Sequence, residues 1–80
     1  MTMLHVKAGK KEKISRADIM GFIANNCADI IPPSHIGRIE VKDHYSLVAV
    51  PHRFARQLIA RLSPLPLKGH RTRITVTTAP

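Results

Sequence analysis

Four short runs of the chain alternate apolar and polar residues, and two segments with helical spacing lie between them. Alternation is typical of strands that bury one face, whereas a sheet covered on both faces needs strands that are apolar throughout. The predicted strands cover residues 3–8, 36–42, 45–50 and 71–77. The order strand, helix, strand, strand, helix, strand predicts an α+β fold of the split βαβ type, with a four-stranded antiparallel sheet and both helices on one face.

The first helix is predicted to begin at Ser15, an N-cap residue that Asp18 follows in the manner of a capping box. Its apolar stripe runs to Cys27, and the helix should end near Asn25 and Asn26. We expect Cys27 to be a buried core thiol. Gly21 weakens a helix relative to alanine, which suggests that another backbone approaches at this position.

The second helix is predicted to follow Pro51 and to end at residues 63–66. Its inner face is defined by the spacing i, i+3, i+4, i+7 and consists of Ala55, Leu58, Ile59 and Leu62. Three arginines fall outside this face, and a solvated helix surface is the favoured interpretation for them: Arg53, Arg56 and Arg61.

The chain has 80 residues and a formal charge of +8, from 13 Lys and Arg against 5 Asp and Glu. This length predicts a single domain over residues 1–80 with an ordered core at about 4–77, and the charge favours a polyanion such as RNA as the partner. No apolar run is long enough for a membrane span, and no signal peptide is recognisable, so we expect no membrane partner. A single cysteine fits a reducing compartment, and the expected location is the cytoplasm.

The outward positions of the four predicted strands should form an open, basic sheet face around one aromatic ring. Such a surface suits single-stranded RNA, because cations attract its phosphates and its bases stack on aromatic rings. Tyr45 has an alternative interpretation as an aromatic residue that packs across the sheet, and the lysines of residues 10–13 as a solvated loop. The predicted RNA-binding residues are His5, Lys7, Lys10, Lys11, Lys13, Arg38, Lys42, Tyr45, Arg71 and Arg73.

Catalytic residues, metal ligands and cofactors are not predicted. Gly9 is followed by two lysines, but the spacing of a phosphate-binding loop is missing, so we expect no ATP site. The five histidines and the cysteine lack the spacing of metal ligands. Glu40 and Asp43 lie among cations on a flat sheet, which does not provide the cleft that acid–base catalysis needs. The chain should therefore act by binding.

Four segments resemble a known family. They are residues 6–9 (Val-Lys-Ala-Gly), 19–25 (Ile-Met-Gly-Phe-Ile-Ala-Asn), 36–39 (Ile-Gly-Arg-Ile) and 50–51 (Val-Pro). Over about residues 4–77 the chain resembles the RNA-recognition-motif-like C-terminal domain of DEAD-box RNA helicases of the DbpA and CsdA type. The resemblance implies a module that targets an ATP-dependent helicase to structured RNA, often ribosomal RNA, with the helicase core in the same parent chain.

The third strand departs from the usual RNA-recognition motif. The usual pattern of that strand is basic, glycine, aromatic, small, aromatic. Here the corresponding residues are Asp43-His44-Tyr45-Ser46-Leu47, so the basic residue, the glycine and one aromatic residue are replaced. His5 occupies the aromatic position of the first strand. Contacts through sheet edges and loops are therefore an alternative to the open face. A second alternative is a protein interaction or dimerisation module that uses Leu47 and Ala49 as an apolar patch.

Overall fold

A computed structural model describes residues 2–77; Met1 and residues 78–80 of the predicted domain lie outside the described part. The secondary structure, in chain order, is β1 (Thr2–Val6), α1 (Arg16–Asn26), β2 (Ile39–Val41), β3 (Ser46–Val50), α2 (His52–Leu62), β4 (Pro66–Leu67), β5 (His70–Arg71) and β6 (Ile74–Thr77). Single 3-10 turns at Lys10–Glu12 and Pro33–His35 precede α1 and β2. The predicted α+β fold class is confirmed.

The main sheet has the strand order β2-β3-β1-β6, and every neighbouring pair is antiparallel. The first and third strands, β1 and β3, are therefore the central ones. Register places Leu4 opposite Val48 and Val6 opposite Ser46, and all four residues are buried. Helices α1 and α2 cover this side of the sheet, so the alternation in the sequence has separated a core face from an open face.

The core forms between the sheet and the two helices. α1 contributes Ile19, Phe22 and Ile23, and Cys27 directly after it is also buried, as predicted. α2 contributes Ala55, Leu58 and Leu62, with Ile59 half-buried beside them. Each large aliphatic side chain removed from water in this way stabilises the fold by about 1.5–3 kcal/mol.

The start of α1 is fixed by its predicted cap. The Ser15 amide donates to Asp18 Oδ2 at 2.8 Å, and the Asp18 amide donates to Ser15 Oγ at 3.2 Å. The bond from the Ser15 amide is the main reason why the pKa of Asp18 lies below its ordinary value. The capping box therefore satisfies backbone donors at the helix start and favours the charged carboxylate.

Two predicted boundaries differ from the structure. The strand predicted at residues 36–42 is shorter: regular pairing covers only Ile39–Val41, because Gly37 and Arg38 both bond to the single residue Ala49 and a 3-10 turn leads into Ile36. The strand predicted at residues 71–77 is split in two. Arg71 belongs to a small hairpin of β4 and β5, and the fourth strand of the main sheet begins at Ile74.

One predicted environment is wrong, that of Gly21. Val76 pairs with the buried Leu4, which places it on the helix side of the sheet, but it is 43% exposed because β6 is an edge strand and lacks a neighbour on one side. A Cβ at Gly21 would have Asn25 Nδ2 at 3.9 Å as its nearest neighbour, so no backbone approaches there. Arg61 is exposed, as predicted, and it also makes a two-bond ion pair with Asp29 at 3.0 Å that links α2 to the segment that follows α1.

Candidate nucleic-acid interface

The open face of the sheet is built from outward residues of all four main strands. Residues that pair across the strands form rows of neighbouring side chains on this face. The Lys42 amide donates to the Tyr45 carbonyl and the Lys7 amide to the Arg73 carbonyl, which adds one row on the side of the β1–α1 loop. The central row contains Glu40, Leu47, His5 and Thr75. The row beside it contains Lys42, Tyr45, Lys7 and Arg73. Five of the eight are predicted RNA-binding residues: His5, Lys7, Lys42, Tyr45 and Arg73.

Two rings lie stacked at the junction of these rows. The His5 and Tyr45 ring centroids are 5.0 Å apart, and the ring planes differ by 13°. The partner of His5 in the ladder is Leu47, so Tyr45 reaches it along the diagonal, a distance that aromatic side chains can span. Tyr45 remains 38% exposed. The packing of this ring across the sheet is therefore confirmed, and its contact with a base stays a prediction.

The cations of the open face are unevenly neutralised. Glu40 Oε1 lies 3.2 Å from Arg38 Nε, and Glu40 Oε2 lies 3.8 Å from Lys42 Nζ. Within residues 2–77, Lys7 and Arg73 have no acidic partner. A polyanion would therefore meet the least compensated positive charge at the β1 and β6 side of the sheet.

The β1–α1 loop lies against the turn between β2 and β3. The Lys10 amide donates to the Lys42 carbonyl at 2.8 Å, and the Lys11 amide donates to the Asp43 carbonyl at 2.9 Å. Gly9 allows this approach, because a Cβ there would overlap the Lys42 carbonyl and come within 2.8 Å of Asp43. The predicted loop lysines are thereby placed beside Lys42. Sequence reasoning missed the role of Gly9, whose only signal was a glycine directly after a strand.

Packing of the loop against the turn leaves an open groove next to the tyrosine. It has a volume of about 520 Å³. Its lining residues are Lys10, Val41, Lys42, Asp43, His44 and Tyr45. We call this the tyrosine groove; it joins the loop cations to the exposed ring on the sheet.

Glu12 and Lys13 complete the loop. Glu12 accepts a bond from the Gly9 amide at 2.8 Å and lies 3.7 Å from His44 Nδ1. Lys13 has a left-handed backbone with φ 63°, and its carbonyl accepts a bond from Lys68 Nζ at 3.1 Å. Lys13 therefore ends the 3-10 turn, while Lys10 and Lys11 are the residues bonded to the β2–β3 turn.

Arg71 also lies off the main sheet, in the small β4–β5 hairpin. Its strand β5 pairs only with β4, with Arg71 opposite Pro66. Together with Arg73 it lines a separate groove of about 480 Å³ near Ser63. Thr72, between the two arginines, is buried, and its hydroxyl has no hydrogen-bond partner among the described residues. A phosphate contact by Arg71 stays a prediction.

Metal sites and membrane-spanning helices have no counterpart in the described part of the chain. Among the described side chains, which do not include that of His70, no three His, Cys, Asp or Glu come close enough to hold a metal ion. In the same part of the chain, neither helix is long and apolar enough to cross a membrane. Burial raises the pKa of the Cys27 thiol, which keeps it protonated at neutral pH.

The sheet with helices on one face, and the stacked rings among cations on the other, define a domain of the RNA-recognition-motif class. The family described as the DbpA RNA binding domain matches residues 3–76. The chain therefore belongs to this family, the C-terminal RNA-binding domain of DbpA-type DEAD-box helicases. A search of curated proteins gives no match.

Proposed function

We propose that this domain attaches a DEAD-box ATP-dependent RNA helicase to structured RNA, with ribosomal RNA as the target class. The observation that carries the proposal is the stack of His5 on Tyr45, flanked by Lys7 in the adjacent strand and by Lys10 in the loop. Stacked rings offer a platform for an unpaired base, and the cations attract the phosphates on either side of it. Sequence-specific RNA recognition usually targets such unpaired bases in loops and bulges.

The helicase core belongs, in this proposal, to the same parent chain and acts in the cytoplasm. The domain needs no cofactor of its own, because its contribution is binding energy and position. The distribution of charge supports attachment. The cations lie at the ends of β1, β2 and β6 and in the β1–α1 loop, so they can contact phosphates along an extended stretch of RNA.

An NMR titration with two RNAs of equal charge tests this function. One RNA is a hairpin with an unpaired loop, and the control is a blunt duplex with the same number of phosphates. We expect the amides of His5, Tyr45 and Lys10 to shift with the hairpin and the affinity for the duplex to be lower. Equal affinity for the two RNAs, or shifts confined to α1 and α2, would contradict binding at this face.

The alternative is a protein interaction module without RNA contact. The open face does carry apolar residues, since Leu47 and Met3 are half-buried beside the buried Ala49. A charge of +8 on each copy opposes self-association through this patch. The salt dependence of the binding affinity distinguishes the two functions. RNA affinity should fall steeply with added salt, whereas association through an apolar patch should respond little.

A further inference from the structure

The main sheet has two unpaired edges within the described residues, β2 and β6, and the β2 edge lies beside a groove. β2 pairs with β3 on one side, and its other side has no strand neighbour. The Arg38 carbonyl accepts a hydrogen bond from the Ala49 amide at 2.9 Å, and the Lys42 amide donates one to the Tyr45 carbonyl at 2.8 Å. The backbone groups of Arg38 and Lys42 therefore point towards β3. Backbone groups alternate in direction along an antiparallel strand. The amide and carbonyl groups of Ile39 and Val41 therefore point to the open edge.

A groove runs between this edge and the start of α1. It has a volume of about 520 Å³. Its floor is aliphatic, formed by the buried residues Ile14 and Ile39 and by the half-buried Val41. Its other lining residues are Lys10, Ser15, Arg16, Glu40 and Lys42. We call this the β2 edge groove; it combines unused strand hydrogen bonds, an apolar floor and three cations against one carboxylate.

The single carboxylate on this edge is already engaged. Glu40 bonds to Arg38 at 3.2 Å and lies 3.8 Å from Lys42, and Arg38 keeps 80% of its side chain exposed. Net positive charge therefore remains along the edge. Cations on a short edge strand discourage pairing with a second copy of the same chain, because the like charges would face one another. The same cations attract an acidic strand.

The alternation of β2 specifies what such a strand must carry. Residues on the helix side of the added strand would meet the aliphatic floor at Ile14, Ile39 and Val41. Residues on the open side would lie beside Arg38 and Lys42, where carboxylates are favoured. RNA has phosphates for the cations, but it offers no ladder of backbone donors and acceptors and no aliphatic side chain for the floor.

We propose that the β2 edge groove binds an extended segment of a partner protein in which acidic and aliphatic residues alternate. The segment adds a fifth strand to the sheet beside β2. Backbone hydrogen bonds supply affinity in this mode, and the alternate side chains supply specificity. The proposal is independent of RNA binding, although Lys10 and Lys42 also line the tyrosine groove.

The test is an NMR titration of the RNA-free chain with a short peptide that alternates glutamate and valine. We expect a saturable shift of the Ile39 and Val41 amides and slower hydrogen exchange at both. The control peptide has the same composition with its glutamates grouped at one end. Equal binding of the two peptides, or no saturable shift at Ile39 and Val41, would overturn the proposal.

Charge reversal identifies the groove without touching the tyrosine groove. Arg16→Glu should weaken peptide binding about fivefold, and it preserves the fold because glutamate is favourable in the first turn of a helix. Arg56→Glu is the matched control, since Arg56 is exposed on the other helix. Equal losses in the two variants would reject the site. Larger shifts of Ile39 and Val41 with the hairpin RNA than with the peptide would reassign the groove to RNA.

Discussion

The ring of His5 lies nearly parallel to the ring of Tyr45, with 5.0 Å between their centroids and 13° between their planes. Each ring therefore lies against one face of the other, and Tyr45 keeps 38% of its surface exposed. A base placed on Tyr45 would extend an existing stack, and the cross-strand partner limits the motion of the ring. One stacked pair can thereby replace part of the two-aromatic platform that the third strand lacks.

Replacement of Tyr45 by alanine should weaken binding of the hairpin RNA by about 1–3 kcal/mol, because the base loses its stacking partner. Tyr45→Phe is the matched control and should retain most of the affinity, since the aromatic face is kept. Fluorescence anisotropy measures both values, and circular dichroism checks the fold. Unchanged affinity in Tyr45→Ala would show that the ring only packs against His5.

Arg73→Gln should lower RNA affinity and reduce the log–log salt slope by about 0.7, the value for one phosphate contact with a single strand. Arg71→Gln should change the slope less, because Arg71 lies in the β4–β5 hairpin rather than in the row of Lys7. Titrations at several salt concentrations compare the two variants. A larger effect for Arg71 would move the phosphate path to the groove near Ser63.

Gly9→Ala should destabilise the domain by roughly 1–3 kcal/mol, the usual cost of forcing atoms into a filled space. The added methyl group would overlap the Lys42 carbonyl and separate the loop from the β2–β3 turn. Gly21→Ala is the control. It should stabilise the fold by about 0.5–1 kcal/mol, because that site is open and helical. Urea unfolding measures the free energy of unfolding of both variants. Equal changes in the two would contradict the close packing of the β1–α1 loop against the β2–β3 turn.

Stability should decline in acid through two carboxylates. The pKa of Asp29 is lowered mainly by its bond to Arg61, and that of Asp18 by the Ser15 amide, both from an ordinary value of 3.8. A lowered folded-state pKa gives stability that is present above about pH 4 and is lost as the pH falls through the folded value. Urea unfolding at pH 6 and pH 3 measures the loss. The double variant Asp18→Asn, Asp29→Asn should lose less stability between pH 6 and pH 3. An equal loss in the variant would show that other groups cause the acid sensitivity.

The Cys27 thiol should react slowly with alkylating reagents in the folded protein. It is buried, and burial raises its pKa, so both access and the thiolate fraction are low. Reaction in denaturant gives the reference rate. Comparable rates with and without denaturant would show that the end of α1 opens readily.

Local signals in the sequence were sufficient for most of the fold. Ser15 and Asp18 marked the start of α1, and the period of the apolar residues separated helices from strands. These features act between residues that are neighbours along one element. They failed where an element is very short, since the two-residue strands on either side of Lys68 and Gly69 are too brief to show alternation. Positive φ values at both turn residues, 50° and 79°, form that hairpin.

The sequence by itself determined that one sheet face would be basic and would carry Tyr45, because alternation assigns each side chain to a face. Only the tertiary structure decided that Tyr45 stacks on His5, that Lys10 packs beside Lys42, and that Arg71 lies outside the main sheet. These relationships depend on strand register and on the close approach of distant backbone segments. They are set by packing of the whole domain, which no local pattern of residues encodes.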